Sequence, residues 1–318
     1  MTGTLAALIA ACLASAASAH QWVGMTPDYA KGTIELFTLT GYAARGPSVS
    51  TIPIGAAERV DVDSFRCRPY GNFCLVTTTD RVSNSWLYNV SVADGSLNSK
   101  TAIPGAILHN LHLDKATGGA YSVALTANTT KIVMIFDGQT VDLIDLTPYV
   151  APAETVPVGG TTQCSNTDEI WVGIKAAAKG ASDRIISAKL RTRNVSGVLE
   201  LKDPLPVSLW AHCDNSNNVD TLAGAVQPEG GSTIAYAALS ATGQYELLEQ
   251  ASLPAPGLVL SGLLSQPPTW SYFMTMYPPG AEPGSNATGF AAFGHNNAGP
   301  ALTVQPIDYY LTGAAALS

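Results

Sequence analysis

The chain has 318 residues, only 13% of them charged, with a net charge of −8 and an isoelectric point near 5.0. A typical soluble chain carries about 25% charged residues, so this surface is covered by Ser, Thr, Asn, Gly and main chain, and either glycans keep it soluble or much of it is buried in an assembly. The acidic balance, with no basic patch visible along the chain, excludes nucleic acid as the expected partner.

Residues 1–19 carry no charged side chain, and an apolar run at 5–14 leads into Ala17-Ser18-Ala19, a small-x-small cleavage pattern. This reads as a secretory signal peptide removed before His20, although only the α-amino group supplies positive charge ahead of it. The run is too short for a membrane span and no later stretch is long enough. The C-terminus lacks the apolar tail of a GPI signal. A second reading of the same segment is a lipobox, Ile9-Ala10-Ala11-Cys12, which makes Cys12 a lipidated N-terminus. The signal-peptide reading makes the protein secreted, with residues 20–318 as a single domain undivided by any low-complexity linker.

The elements then recur in chain order. The first copy begins at Gln21-Trp22-Val23-Gly24-Met25 and continues with strands at 33–39 and 49–54. The second has the turn Arg66-Cys67-Arg68-Pro69-Tyr70-Gly71 and strands at 73–76, 86–92 and 98–103. The third has the turn His112-Leu113-Asp114-Lys115-Ala116-Thr117-Gly118 and strands at 121–125, 131–136 and 141–146. The fourth has Gln163-Cys164-Ser165-Asn166-Thr167-Asp168 and strands at 170–174, 184–190 and 198–201. The fifth has His212-Cys213-Asp214-Asn215-Ser216-Asn217 and strands at 222–226, 233–239 and 245–253; the sixth has strands at 272–276, 289–293 and 302–307. From Cys67 the steps to Leu113, Cys164 and Cys213 are 46, 51 and 49 residues. The second strand of each copy is a continuous apolar run, as suits strands sandwiched between layers, and the fourth is more polar, as suits an edge. No segment has an amphipathic helical period.

A repeat of this length built from four short strands predicts an all-β, six-bladed β-propeller, one blade per copy. The first copy has no room for a first strand. The tail, Tyr309-Tyr310-Leu311-Thr312-Gly313-Ala314-Ala315-Ala316-Leu317, arrives where a first strand is due. The expectation is a ring closed by a C-terminal strand completing the first blade, which leaves no unpaired edge at the seam. The segment His112-Leu113-Asp114-Lys115-Ala116-Thr117-Gly118-Gly119-Ala120-Tyr121 resembles the strand-turn-strand repeat of six-bladed propeller superfamilies, including the YVTN-like, NHL-like and lactonase-like groups. The resemblance covers the mature chain and implies the fold. The lactonase-like group holds a catalytic calcium with Glu, Asn and Asp at the channel mouth; those ligands have no one-to-one match here, so no residue is carried over.

Four cysteines remain after cleavage, which predicts disulfides in an exported chain. Cys67 and Cys74 flank a turn between antiparallel strands and are expected to pair, closing a loop that stabilises by about 2–3 kcal/mol on the chain-entropy estimate. Cys164 and Cys213, at equivalent points of successive repeats, are paired by elimination, provided their Cα atoms come within about 4.4–6.8 Å. Glycosylation sequons stand at Asn89, Asn128, Asn194 and Asn286; the last three fall in predicted loops and Asn89 inside a predicted strand.

Reaction motifs are lacking: no Gly-x-Ser-x-Gly, no His-Glu-x-x-His, no phosphate-binding glycine loop and no Cys-x-x-Cys. Arg66, His112, Gln163 and His212 stand just before equivalent turns, and around a propeller axis they form a ring that either holds a metal or anion in the channel mouth or simply faces a water-filled end. His109 is not expected to join His112, because an i, i+3 spacing in a strand puts them on opposite faces. Asp214-Asn215-Ser216-Asn217-Asn218-Val219-Asp220 offers Asp214, Asn218 and Asp220 as calcium ligands, but Val219 replaces the glycine of an EF-hand loop and the competing reading is an Asx-rich turn. His20, as a new N-terminus, has the groups to chelate copper, yet the oxygenases that use this device resemble β-sandwiches. Trp22, Trp86, Trp171, Trp210 and Trp270 make an aromatic set for a glycan, although the near-equivalence of Trp22 and Trp171 reads as interblade packing. The expected function is a non-catalytic extracellular binding or structural scaffold for a protein or glycan partner or for its own copies. The alternative is a metal-dependent hydrolase or lactonase with calcium in the axial channel.

Overall fold

The computed structural model describes residues 22–40, 43–68, 72–113, 120–136, 139–163, 168–213, 219–228, 231–264, 271–285, 287–295 and 302–316. They build six four-stranded antiparallel sheets. Blade 1 holds β1 (Trp22–Asp28), β2 (Thr33–Thr40) and β3 (Ala44–Pro53); blade 2 holds β4 (Phe65–Cys67), β5 (Phe73–Thr79), β6 (Asn84–Ser91) and β7 (Leu97–Pro104). Blade 3 is β8 (Ile107–Leu113), β9 (Ala120–Leu125), β10 (Thr130–Phe136) and β11 (Gln139–Asp145); blade 4 is β12 (Thr161–Gln163), β13 (Glu169–Ile174), β14 (Arg184–Lys189) and β15 (Asn194–Glu200). Blade 5 is β16 (Ser208–Cys213), β17 (Val219–Val226), β18 (Thr233–Leu239) and β19 (Tyr245–Ser252); blade 6 is β20 (Val259–Leu264), β21 (Ser271–Tyr277), β22 (Gly289–His295) and β23 (Thr303–Ile307). The last strand, β24 (Gly313–Ala316), returns to blade 1. The innermost strands touch in the cycle β24, β4, β8, β12, β16, β20 and back to β24, which is the propeller ring. No helix among the described residues is long and apolar enough to cross a membrane.

The ring closes as the sequence predicts. β24 pairs antiparallel with β1 in the register Trp22↔Ala316 to Met25↔Gly313. Thr312 donates to Met25 O from both its main-chain N (3.0 Å) and its hydroxyl (2.9 Å). Ahead of the strand, Tyr309 OH donates to Ala43 O, Tyr277 OH accepts from Leu311 N at 2.8 Å, and the Tyr277 and Tyr310 rings stack 3.9 Å apart. The small side chains of the Gly-Ala-Ala-Ala strand are required here: a Cβ on Gly313 would sit 2.7 Å from Phe65 Cβ.

The core is divided into six clusters, one at each blade interface. Val23, Ile34, Leu36, Val76 and Tyr88 join blades 1 and 2, while Val123, Ile132, Ile170, Val172 and Ile186 join blades 3 and 4. These are the apolar runs of the second and third strands, buried on both faces because each sheet lies between two others. Trp22 and Trp171 lie in two such clusters, between blades 6 and 1 and blades 4 and 5. Each buried Val, Leu, Ile or Phe side chain stabilises by about 1.5–3 kcal/mol.

The outer edges are blunted. In β7, β11, β15 and β19 one extra residue (Asn98, Leu143, Ser196 and Leu248) is inserted against the third strand, β3 has two such shifts, at Val49 and at Gly46-Pro47, and β23 carries Pro306 instead. Bulges and prolines both deny an edge to an incoming strand.

Candidate functional site

The innermost strands of blades 2 and 4 are short because the chain before them leaves the sheet. Arg59 bridges Thr79 and Phe65 pairs with Val76, so residues 60–64 stand against 77–78. Thr155 bridges Lys175 and Thr161 pairs with Val172, so residues 156–160 stand against 173–174. The two bulged connectors, Val60-Asp61-Val62-Asp63-Ser64 and Val156-Pro157-Val158-Gly159-Gly160, occupy matching places two blades apart. Each follows a turn closed by its own glutamate: Glu58 Oε1 accepts from Gly55 N at 2.9 Å and Glu154 Oε2 from Ala151 N at 2.8 Å. Each tip has positive φ, 64° at Asp63 and 76° at Gly159. Each tip carbonyl accepts from the next blade, Asp63 O from Leu111 N at 3.1 Å and Gly159 O from Leu209 N at 2.8 Å.

The tips meet on the axis. A Cβ on Gly159 would lie 2.7 Å from Ser208 Oγ and 3.4 Å from Asp63 Oδ2, and one on Gly262 would lie 2.9 Å from Val62 Cγ1 and 3.1 Å from Ser208 Oγ. Residues of blades 2, 4, 5 and 6 thus fill the axis at this level. Asp63 Oδ1 accepts from both terminal nitrogens of Arg66 at 3.3 Å, and Arg66 also donates to Phe65 O at 2.8 Å; both side chains are buried. Burial pushes the Asp63 carboxyl up from its ordinary value while the Arg66 guanidinium pulls it down, and burial prevails. Asn110 pins the second tip, its amide donating to Pro157 O at 3.1 Å and accepting from Gly159 N.

Sheet register revises the ring counted along the sequence. His112, Gln163 and His212 pair with Tyr121, Ile170 and Thr221 at matching points of their second strands, and the blade 2 residue at that point is Cys67, opposite Cys74. Arg66 stands one residue earlier and therefore on the other face. Cys67 and Cys74 are joined by a disulfide. His112 is buried. Between His109 and His112, Asn110 and Leu111 stand against Ser122 alone, so the strict alternation expected there is broken by a bulge. Cys213 and Asp220 fall in strands β16 and β17, whereas Cys164, Asp214, Asn218, Trp270, His20, Cys12 and Asn286 lie outside the described residues. No group of three or more His, Cys, Asp or Glu able to hold a metal occurs among the described residues. Asn128 is exposed in the β9–β10 turn, Asn194 opens β15 rather than lying in a loop, and Asn89 sits half-buried in β6, accepting from Asn98. Trp210 is buried against Tyr236 and Tyr272, and Trp86 is half-buried.

Ligand-sized space lies off the axis, on the face formed by the blade-to-blade connectors and the turns between second and third strands. Two clefts, of about 430 and 440 Å³, flank the β9–β10 turn and share His109, Leu125, Thr126 and Ala127. The first is lined by Thr126, Thr129, Thr130, Thr147 and Thr155 together with apolar Leu125, Val150 and Pro152. The second has a charged wall in which Arg81 pairs with Asp61 at 3.3 Å. His109 separates them with Nδ1 3.2 Å from Val156 O, an arrangement that places a proton on Nδ1 and leaves Nε2 as acceptor. Burial lowers its pKa despite Asp61 nearby, so the ring is neutral at physiological pH. A neutral imidazole tied to a main-chain oxygen, beside hydroxyls and a self-paired Asp–Arg couple, is suited to hydrogen-bonding a polar ligand. The sequence signal for this region was the pair Gly55-Ala56-Ala57-Glu58-Arg59-Val60 and Ala151-Pro152-Ala153-Glu154-Thr155-Val156, which recurs over two blades rather than one.

No protein-family model and no curated protein matches the sequence. Among solved structures, the chain is similar to one in the crystal structure of a nidogen/laminin complex, with a TM-score of 0.59 and 11% identity over 94% of this chain and 98% of that one. It is also similar to TolB from Acinetobacter baumannii, with a TM-score of 0.60 and 12% identity over 98% of this chain and 71% of that one. At such identities the likeness is one of fold: the chain is a six-bladed β-propeller.

Proposed function

We propose that this is a secreted, non-catalytic binding propeller that presents the connector face around His109 to a protein or glycan partner. The observation that carries the reading is the filled axis. Val62, Asp63, Gly159, Ser208 and Gly262 crowd the axis at the connector level, where an axial active site would need space, and two ligand-sized clefts open instead off the axis beside His109. Threonine hydroxyls, a neutral imidazole and main-chain groups are complementary to the hydroxyls of a sugar or to an extended peptide backbone. The disulfide and the leader-like residues 1–19 support an oxidising, extracellular setting.

The test is binding of the secreted protein to a glycan array, and to extracellular-matrix proteins immobilised one by one, compared with Ala127→Trp. Ala127 is exposed and borders both clefts, so the indole fills them without touching the core. The expected result is a ligand held by the wild type and lost at least tenfold by the variant. Binding indifferent to Ala127→Trp, or calcium-dependent turnover of lactones or esters by the wild type, overturns the reading.

A further inference from the structure

The overall charge hides a segregation along the ring. Lys202 is the last basic residue: residues 203–318 contain no Lys or Arg and eight Asp and Glu. The whole net charge of −8 is therefore carried by the segment that builds blades 5 and 6, and the first 202 residues are neutral as a set. Within that neutral part, residues 175–202, the outer half of blade 4, hold seven of the sixteen basic residues against two acids. Lys175 is taken by Asp183 and Arg184 by Glu154. Lys179, Arg191, Arg193 and Lys202 are exposed and form no ion pair among the described residues. A basic rim thus stands beside an acid-only one.

Apolar exposure coincides with this boundary. Val198 on β15 is 45% exposed, and Leu247 and Leu248 on β19 are 41% and 48% exposed. Two successive leucines reach solvent on β19 because Leu248 is the bulge residue, and exposed Glu246 precedes them. On the outer strands of blades 2 and 3, exposed Leu97 is near Lys100, which pairs with Glu58, and exposed Val141 is next to Asp142, which pairs with Lys131, so no exposed, unpaired base stands with them. The rims of blades 4 and 5 combine exposed apolar side chains with charges that form no ion pair among the described residues, and there the charges are of opposite sign: Arg191 and Arg193 beside β15, Glu246 on β19. The bulges in β15 and β19 bar strand addition, so a contact here is made by side chains.

We propose that the protein associates with further copies of itself head to tail, the basic, valine-bearing rim of blade 4 on one copy docking on the acidic, leucine-bearing rim of blade 5 on the next. Such a contact is heterologous, since the two surfaces differ, and it forms a ring or a filament according to the turn at each step. Neighbouring blades of a six-bladed ring are about 60° apart, so with parallel axes each contact turns the next copy by about 120° and the assembly closes at three. This surface is separate from the clefts at His109, and the association stands whether or not they hold a ligand.

Sedimentation of the secreted full-length chain at tens of micromolar tests it. In about 0.05 M salt the expected species has three times the mass of a single chain, and in about 0.5 M salt it falls to one copy, because exposed charges are screened within a few ångströms. Arg191→Gln with Arg193→Gln removes one rim, and Glu246→Gln with Leu248→Gln removes the other. Each double variant alone is expected as a single copy with the wild-type melting temperature. Mixed in equal amounts, the two variants give a two-copy species and nothing larger, since each keeps one working rim. A wild type that stays single at low salt, a larger species insensitive to both variants, or a mixture that stays single overturns the proposal.

Discussion

The connectors into blades 2 and 4 have the same backbone and opposite chemistry. Both make a glutamate-closed turn, bridge to the end of the second strand, swing out by five residues and accept at the tip carbonyl a hydrogen bond from the following blade. At the tip, however, one carries Asp63 and the other Gly159, and where the first has Arg66 the second has Thr162, whose hydroxyl accepts from Ala211 N at 2.8 Å. The two tips converge on an axis with room for one side chain. The opposing tip is restricted to glycine by its φ of 76° and by Ser208 Oγ and Val207 O, which would lie 2.7 and 3.2 Å from an added Cβ, while Asp63 Oδ2 would stand at ordinary contact distance. Near-symmetric repeats need not be symmetric where they meet.

The largest effect is expected from Asp63→Ala, which leaves the Arg66 guanidinium buried without its carboxylate and costs about 3–5 kcal/mol. Adding Arg66→Met should recover most of that loss in urea unfolding, because removing both charges abolishes the unpaired one. If the double variant is no more stable than the single, the pair is not what holds the first tip. Next comes Gly159→Ala, expected at about 2–3 kcal/mol from a left-handed backbone and a Cβ driven against Ser208. Gly105→Ala is its control: Gly105 has φ 80° with nothing within 4 Å of the added methyl, so strain alone costs about 1 kcal/mol there. Equal losses at the two glycines would mean that the axis is not crowded.

The smallest effect is in pH dependence, and it separates two carboxylates of one connector. Burial raises the Glu58 pKa, but hydrogen bonds from Lys100, Thr78, Tyr88 and Gly55 together outweigh it and hold the group below its ordinary 4.5. Its contribution is present above 4.5 and is lost as pH falls through the depressed folded value. Asp63 behaves oppositely. Its folded value lies above 3.8, so as pH falls through that value toward 3.8 the folded form takes up the proton first and gains stability. Urea midpoints between pH 6 and 3 should therefore fall more steeply for Asp63→Asn than for wild type, and less steeply for Glu58→Gln. Parallel slopes for all three would refute the assignment.

Much of the fold was legible because short continuous apolar runs and a repeat near 48 residues leave few architectures, and because a first copy that opens on a second strand must borrow a first one. Trp22 and Trp171 were readable as interblade packing for the same reason. The site was less legible. Counting back from the turns placed Arg66 with His112, Gln163 and His212, one residue out of sheet register, because the turns differ in length and only the pairing across them shows which residues match. Asp63 gave no signal at the single-blade period, since its counterpart is a glycine two blades on. The charge boundary at Lys202 was masked by averaging over the chain.

The C-terminal clasp makes completeness of synthesis a condition of folding. Blades 2 to 6 are each continuous in the chain and can form as they emerge, but β1 lacks its inner neighbour until residues 313–316 have been made. A ribosome that stops early releases a molecule with an open β1 edge and with Tyr277 stripped of its cover by Tyr310. Truncated products therefore carry a mark that proteases and chaperones can read, and only a fully translated chain conceals it.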